Sequence, residues 1–288
     1  MNQSFRLFRT IYYCSTLPFW RRLYRRYLFL RVEQVFPKRS YSQYGEDIIV
    51  QKILGQVSSI VDIGANDGVS ASNSFKFVLS GARALLFEPI PQIYRFLADV
   101  THGAARAVAI NEGISDVESN LEFAVAGSLS FALSTEDKTH SAGCQILAAN
   151  PATTVVKVRP LSYHLVRHPE FAKADCLSCD VEGHELNVLR GIDFRDFQPR
   201  VVVIETHGPS PAGFWLHRDY EQVRAILIAN GYEYALSTIG NSFWVRAGDP
   251  AAQSIDGVLR NSIDTFAGEP PTLGDEIQNK WRKQRSRH

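Results

Sequence analysis

An α/β fold built on a parallel sheet is the class this sequence predicts, on three observations. Residues 60–63, 84–87, 176–179 and 201–204 are short, nearly unbroken apolar runs, as strands buried on both faces should be. Helical stretches stand between them and stop at glycines, with Gly81 closing residues 70–79 and Gly191 closing the helix that carries Leu186 and Leu189. The runs also end abruptly in polar residues: Gly64, Asn66 and Gly68 after the first, Glu88 after the second, Asp180 and Glu205 after the later two. Ligands of open α/β sheets bind at such carboxyl ends.

In chain order, residues 1–40 interleave arginines with aromatics such as Phe8, Tyr12, Trp20 and Tyr24, and Pro18 divides them. Residues 42–47 precede a short helix over 48–54. The strand 60–63, the helix 70–79 and the strand 84–87 then make one βαβ unit. Pro91 opens a helix over 93–100, and 106–110 is a third strand. Residues 121–125 and 155–158 alternate or are β-branched, so both read as strands. Between them, 127–151 is small and polar and reads as a long loop. After the core strand 201–204 comes a helix over 219–229, stopped by Gly231. Residues 232–236 and 243–245 read as a closing hairpin. Three regions follow: a basic aromatic segment 1–40, a globular domain 41–246 and an irregular basic tail 247–288.

Charge is unevenly spread, although the net is only +1. Residues 1–40 hold nine Lys/Arg and one acid, and 279–288 hold five Lys/Arg and no acid. The body between them has 17 basic against 29 acidic residues. Basic ends on an acidic body point to an anionic surface. Residues 17–26 can form a basic amphipathic helix lying on a membrane; the plainer reading is a helix packed on the domain. Single-stranded nucleic acid fits the acidic body poorly, so no nucleic-acid partner is expected.

Four cysteines do not make a disulfide scaffold at this length. Cys176 and Cys179 fall on a strand, where i and i+3 face opposite sides, so they read as buried thiols in a reducing compartment. No apolar run reaches the ~18–20 residues that span a bilayer. The expectation is a cytoplasmic protein, peripheral at the membrane through residues 1–40.

The glycine loop narrows the ligand. Asn66 and Val69 stand where a dinucleotide fingerprint needs its second and third glycines, which counts against an NAD-dependent oxidoreductase. The order Asp62-x-Gly64-x-Asn66-x-Gly68 suits S-adenosylmethionine, which has no pyrophosphate to seat. Glu88, 24 positions after Gly64, is where such folds place a carboxylate on the ribose. The plainer reading is a tight strand-to-helix turn with no ligand.

These residues resemble the FkbM-type methyltransferase family. The resemblance is carried by residues 42–47, by Val61-Asp62-Ile63-Gly64-Ala65-Asn66-Asp67-Gly68, by Phe87-Glu88-Pro89, by 111–116, and by Asp180-Val181-Glu182-Gly183-His184-Glu185 with Val188-Leu189-Arg190-Gly191. It covers about residues 41–246. It implies a class I methyltransferase fold: a Rossmann-like, seven-stranded, mostly parallel sheet with an antiparallel last strand. It also implies S-adenosylmethionine as donor and, as acceptor, a hydroxyl of a sugar, glycan or secondary metabolite. Gln43, Glu46, Asp62, Gly64, Asn66, Gly68, Glu88, Asn111, Ser115 and Asp180 are the donor-binding candidates it suggests. Ser178 and Cys179 depart from the family's usual Lys and Ile, Gly113 from Ala and Ser162 from Asp.

Transfer to an alcohol needs alignment and a proton acceptor. Asp180, Glu182, His184, Glu205 and His207 are the candidates, Asp180 by its place next to the glycine loop and His207 by its ordinary pKa. His184 reads as a helix cap or solvated side chain, and Glu185 as facing solvent or pairing with the backbone. Asp180, Glu182, Glu205 and His207 could alternatively hold a divalent cation; a metal-free site is the expectation. A non-catalytic nucleoside- or glycan-binding module is the remaining alternative.

Overall fold

The computed structural model describes residues 40–102, 104–125, 131–133, 152–210, 213–238 and 240–254. Its centre is a sheet of seven strands: β1 (Ser59–Ile63), β2 (Arg83–Phe87), β3 (Ala107–Ile110), β8 (Cys176–Cys179), β9 (Val201–Glu205), β12 (Tyr232–Ser237) and β13 (Asn241–Arg246). Their spatial order is β3-β2-β1-β8-β9-β13-β12. β1 pairs in parallel with β2 and β8, β2 with β3 and β8 with β9, whereas β13 is antiparallel to both β9 and β12. This is the class I methyltransferase sheet expected from the sequence. The chain order reverses at β1, which opens a crevice between the ends of β1 and β8.

Each face of the sheet carries its own core, as the two-residue period of a strand requires. Val61, Ile63, Leu85, Leu177, Val202, Ile204 and Trp244 face one cluster, which is completed by α4 (Leu161–Leu165), α5 (Glu185–Arg190) and α6 (Tyr220–Ala229). Ile60, Ala84, Leu86, Val201, Val203 and Phe243 face the other, against α1 (Glu46–Leu54), α2 (Phe75–Leu79) and α3 (Pro91–Thr101). Cys176 belongs to one cluster and Cys179 to the other, so the two thiols cannot meet. Both are free and buried.

A second sheet lies over the carboxyl edge of the first. It runs β4 (Gly113–Ile114), β7 (Thr153–Arg159), β5 (Ser119–Ala124), β6 (Phe131–Ala132) in space. Its Phe123, Ala132, Val156 and Val158 pack with Ile90, just past β2. The strand β6 falls inside the stretch expected to be loop; most of that stretch lies outside the described residues. A hairpin of β10 (His207–Ser210) and β11 (Gly213–Leu216) was also not foreseen. Its strands hold only four residues each, too short to carry a pattern.

Helix 70–79 is a correction. Only Phe75–Leu79 is helical, and Ala71 sits at φ 52. Side chains take up the backbone before it: Asp67 Oδ1 accepts the amides of Val69 and Ser70, and Ser72 Oγ accepts that of Phe75. Short polar side chains compete with a helix in this way. The packed chain also continues past the expected boundary at 246. Asp249 is paired by Arg200 and Arg246, and Ala251 is buried. Residues 1–39 and 255–288 lie outside the described residues. No helix among the described residues is long and apolar enough to cross a membrane.

Candidate active site

A cavity of about 330 Å³ opens at the carboxyl ends of β1, β2 and β8. The turn after β1 contributes Gly64, Ala65 and Asn66, and the end of β2 contributes Glu88, Pro89 and Ile90. Asp180, Val181 and Glu182 follow β8, and Ser70 to Asn73 close one side. The overlying sheet adds Gly113, Phe123 and Val158. The site is thus apolar on one side and lined with carboxyl groups on the other, the usual composition of a small-molecule pocket.

Gly64 makes the crevice possible. Its φ is +90, and a Cβ there would stand 1.8 Å from the Asp180 carbonyl oxygen. The amides of Gly64 and Ala65 both donate to the Phe87 carbonyl, at 3.1 and 2.9 Å, which ties the turn to β2. Asn66 follows at φ 53. The close approach of the strand ends therefore depends on the missing side chain.

The carboxyl groups around the cavity lie in dry surroundings. Glu88 is 5 % exposed and accepts the Ile90 amide at 2.8 Å. Burial pushes it up to about 7, against the pull of the Ile90 and Asn66 amides. Burial also raises Asp62, although Ser74 and Ser178 hydrogen-bond to it. Asp180 is pushed up to about 7 by burial first, then by Glu185, Asp62 and Glu46, with His217 opposing. Glu182, at φ 55, is likewise raised well above the ordinary carboxyl range, by burial first and then by Asp180 and Glu185. The Tyr44 hydroxyl is lifted to about 12 by burial and by Glu46, Glu205 and Asp180. A carboxyl group poised near neutrality is the kind of base that an alcohol substrate requires.

The structure brings most of the candidates together. Gln43, Asp62, Gly64, Asn66, Glu88, Asp180 and Glu182 all line the cavity. Glu46, Gly68, Asn111 and Ser115 are not part of its wall. Glu46 is fully buried; its oxygens accept Thr238 Oγ1, Asn241 Nδ2 and the Tyr44 amide, which ties α1 to the β12–β13 turn. Gly68 packs where a Cβ would come 2.7 Å from Leu97 Cδ1. Asn111 Nδ2 donates to the Glu88 and Pro89 carbonyls and fixes the chain after β2. Ser115 Oγ stands 3.0 Å from both Asp116 Oδ1 and His184 Nε2.

Three histidine and glutamate readings change. His207 does not line the cavity. Its Nδ1 is 2.9 Å from Thr206 Oγ1 and its Nε2 2.9 Å from the Thr238 carbonyl, and burial drives it down to about 4. His184 makes no side-chain cap; it is buried, lines the cavity and meets Ser115 instead. Glu185 does bind the backbone, at the Val181 amide, but it is buried rather than solvated. Ser178, the departure from the family's usual lysine, is buried beneath the cavity and accepts Asn73 Nδ2 at 3.1 Å.

Sequence reading did not find Ser72, Asn73, Phe123, Val158 or His217. The overlying sheet reaches the cavity through long-range pairing of β5 with β7, which no local pattern encodes. His217 joins Glu185 and Glu205 in a group whose candidate ligand atoms lie within 4.8 Å of one another. The imidazole stands between the two carboxyl groups with one nitrogen toward each. Nδ1 is 3.2 Å from Glu185 Oε2, and Nε2 is 3.6 Å from Glu205 Oε2, the second too long for a hydrogen bond.

The family model described as the methyltransferase FkbM domain matches residues 62–234. No curated protein matches the chain. Among solved structures, the chain is similar to a methyltransferase FkbM from Methylobacillus flagellatus KT, at 15% identity and a TM-score of 0.45. That match covers 84% of this chain and 59% of the other, so this chain spans less than two thirds of that relative. It is also similar to Aeropyrum pernix fibrillarin in complex with S-adenosyl-L-methionine, at 12% identity and a TM-score of 0.39, covering 75% and 86% of the two chains. The N-terminal domain of EvdMO1, in the presence of SAH and D-fucose, matches at 13% identity and a TM-score of 0.36, covering 72% and 84%.

Proposed function

The chain belongs to the FkbM methyltransferase family, and on that premise we propose that it transfers the methyl group of S-adenosylmethionine to a hydroxyl of a sugar, glycan or secondary metabolite. The observation that carries this reading is the meeting of Gly64 with Asp180 at the switch point, with Glu88 on the neighbouring strand end. Glu88 would accept the ribose hydroxyls, and Gln43, Asp62, Gly64 and Asn66 would surround the rest of the donor. Gly68, Glu46, Asn111 and Ser115 would shape this wall from behind it.

Methyl transfer from a sulfonium is an in-line displacement, so holding the acceptor oxygen, methyl carbon and sulfur in line is the main demand. Asp180 would take the hydroxyl proton, and Glu182, beside it, would orient the acceptor. His207 is a poor base in this arrangement, because Thr206 and Thr238 hold its ring. The test is transfer of labelled methyl from S-adenosylmethionine to a panel of mono- and oligosaccharides and polyhydroxylated aglycones. Label in an alkali-stable ether supports O-methylation; binding of the donor with no transfer to any acceptor supports a non-catalytic module.

The ribose assignment has its own test. Glu88→Ala should weaken S-adenosylhomocysteine binding by ~1.5–3 kcal/mol, the worth of hydrogen bonds to a charged group. Calorimetry on the folded variant checks it, and unchanged affinity would remove Glu88 from the donor site.

Residues 1–40 would hold the enzyme on an anionic membrane face. Nine cationic side chains interleave there with aromatics, and each engaged Lys or Arg contributes ~1 kcal/mol near an anionic surface. The full chain should co-sediment with anionic vesicles at low salt and not with neutral ones, and a protein beginning at Ser40 should stay in solution. Equal recovery of both proteins in the supernatant would contradict the attachment.

A further inference from the structure

A second cavity, of about 420 Å³, adjoins the first. The turn between β4 and β5 contributes Asp116, and α5 contributes Asn187 and Arg190. The start of α6 and the residues before it contribute Arg218, Asp219 and Gln222. The two cavities meet along two short stretches of chain. Ile114 lines the first and Ser115 the second; Glu182 lines the first and Gly183 the second. His184 lines both, and its Nε2 is 3.0 Å from Ser115 Oγ. The junction is tightly built, since a Cβ on Gly191, just past α5, would come 2.1 Å from the Ser115 carbonyl oxygen.

The polar groups of the second cavity already hold one another in place. Asp116 Oδ1 accepts Ser115 Oγ at 3.0 Å and has Asn187 Nδ2 at 3.4 Å. Arg190 Nη2 donates to Gln222 Oε1 at 2.9 Å, and Gln222 Nε2 donates to Asp219 Oδ1 at 3.3 Å. A carboxylate has about four lone-pair sites and a guanidinium five donors, so Asp116 and Arg190 can each serve a ligand as well. Val117, which is exposed, and Leu121 add apolar surface to the same cavity. Arg190 and Arg218 balance Asp116 and Asp219. Burial lowers His184 below its ordinary value despite Glu185 and Asp116, so at neutral pH its ring adds no charge. Planar hydrogen-bonding side chains around an apolar patch, at no net charge, match a neutral sugar ring, with hydroxyls at its rim and C–H groups on its face. Size points the same way. Small-molecule pockets run from roughly 300 Å³ upward, so the first cavity, at about 330 Å³, is filled by one ligand as large as the methyl donor. An acceptor needs room beside it.

We propose that the second cavity is the acceptor subsite and holds a neutral glycosyl unit, one hydroxyl of which reaches past His184 to the donor's methyl group. The proposal rests on reading the first cavity as the methyl-donor site. Asp116 and Arg190 bind hydroxyls that do not react, and His184 positions the ring at the junction. In the transfer itself the reacting oxygen bonds to the methyl carbon. The carbon–sulfur bond breaks with its electron pair left on sulfur, and the hydroxyl proton goes to Asp180.

Saturation-transfer NMR on the full-length protein, with and without S-adenosylhomocysteine, tests the subsite directly. The probes are methyl glycosides of neutral hexoses and deoxyhexoses, with the corresponding uronic acids and hexose phosphates as the charged arm. A neutral glycoside should bind, and its affinity should fall about tenfold or more in Asp116→Ala and in Arg190→Ala, as loss of a hydrogen bond to a charged group would. In the transfer assay with that glycoside, both variants should raise its KM by about the same factor and leave KM for S-adenosylmethionine unchanged. Arg190 lies on the surface, so its variant decides the matter even where Asp116→Ala does not fold. Three results would each overturn the proposal: no binding of any neutral glycoside, binding of the charged sugars alone, or affinities within about twofold of the original in both variants. Glycoside binding without any binding of S-adenosylhomocysteine would instead refute the donor site and leave the sugar site standing.

Discussion

Gly64→Ala is expected to destabilise the protein by about 4 kcal/mol or more, the range reached when a core contact becomes impossible. Two costs add. The residue sits at φ +90, where a Cβ costs roughly 1–2 kcal/mol. The new methyl would also overlap the Asp180 carbonyl oxygen at 1.8 Å and its carbon at 2.9 Å, both backbone atoms that no rotamer change can move. Relief requires parting β1 from β8 at their paired ends, where Ile63 lies beside Cys179. Gly81→Ala is the control. Gly81 has nearly the same backbone angle, φ +87, but open space around the missing methyl. Its expected loss is the conformational cost alone, roughly 1–2 kcal/mol. Urea unfolding of both variants separates the two contributions, and equal losses would show that the contact with Asp180 does not matter.

Asp180→Asn is expected to lower kcat by about 10²-fold or more while leaving S-adenosylhomocysteine affinity little changed. The amide keeps the shape and loses the proton-accepting oxygen. The pH dependence follows from the direction of the shift. Burial and the neighbouring carboxyl groups push Asp180 up to about 7, so below that value it holds a proton and cannot take another. Activity of the original protein should therefore rise with pH through about 7, and the residual activity of the variant should lack that limb. A variant with full activity would move the base elsewhere, with Glu182 next in line because it shares the cavity wall. The same shift opposes stability. Asp180 binds its proton more tightly folded than unfolded, so its contribution is present below the ordinary carboxyl range and is lost as pH rises through about 7.

The sheet was legible because its strands are buried on both faces and therefore run apolar without a break, as residues 60–63 and 201–204 show. The cavity's glycine turn was legible for a similar reason: Gly64 and Glu88 mark strand ends, and both line the cavity. Two kinds of feature were not. Helix 70–79 lost its first half to Asp67 and Ser72, whose side chains take the backbone amides, and hydrophobic periodicity does not report that competition. His217 was invisible because it lies 32 positions from Glu185 and after a hairpin with four-residue strands. Glu46 and Asn111 show the converse. Both sit in motifs of the family, yet their side chains hold the frame behind the cavity wall.

The central claim is that the cavity between β1, β2 and β8 receives S-adenosylmethionine. Titration calorimetry of the full-length protein with S-adenosylhomocysteine tests it most directly, with NAD as the comparison ligand. The account requires saturable one-to-one binding of S-adenosylhomocysteine and no heat from NAD, since Asn66 and Val69 leave no seat for a pyrophosphate. Binding of NAD, or no binding of S-adenosylhomocysteine to the folded protein, would contradict it.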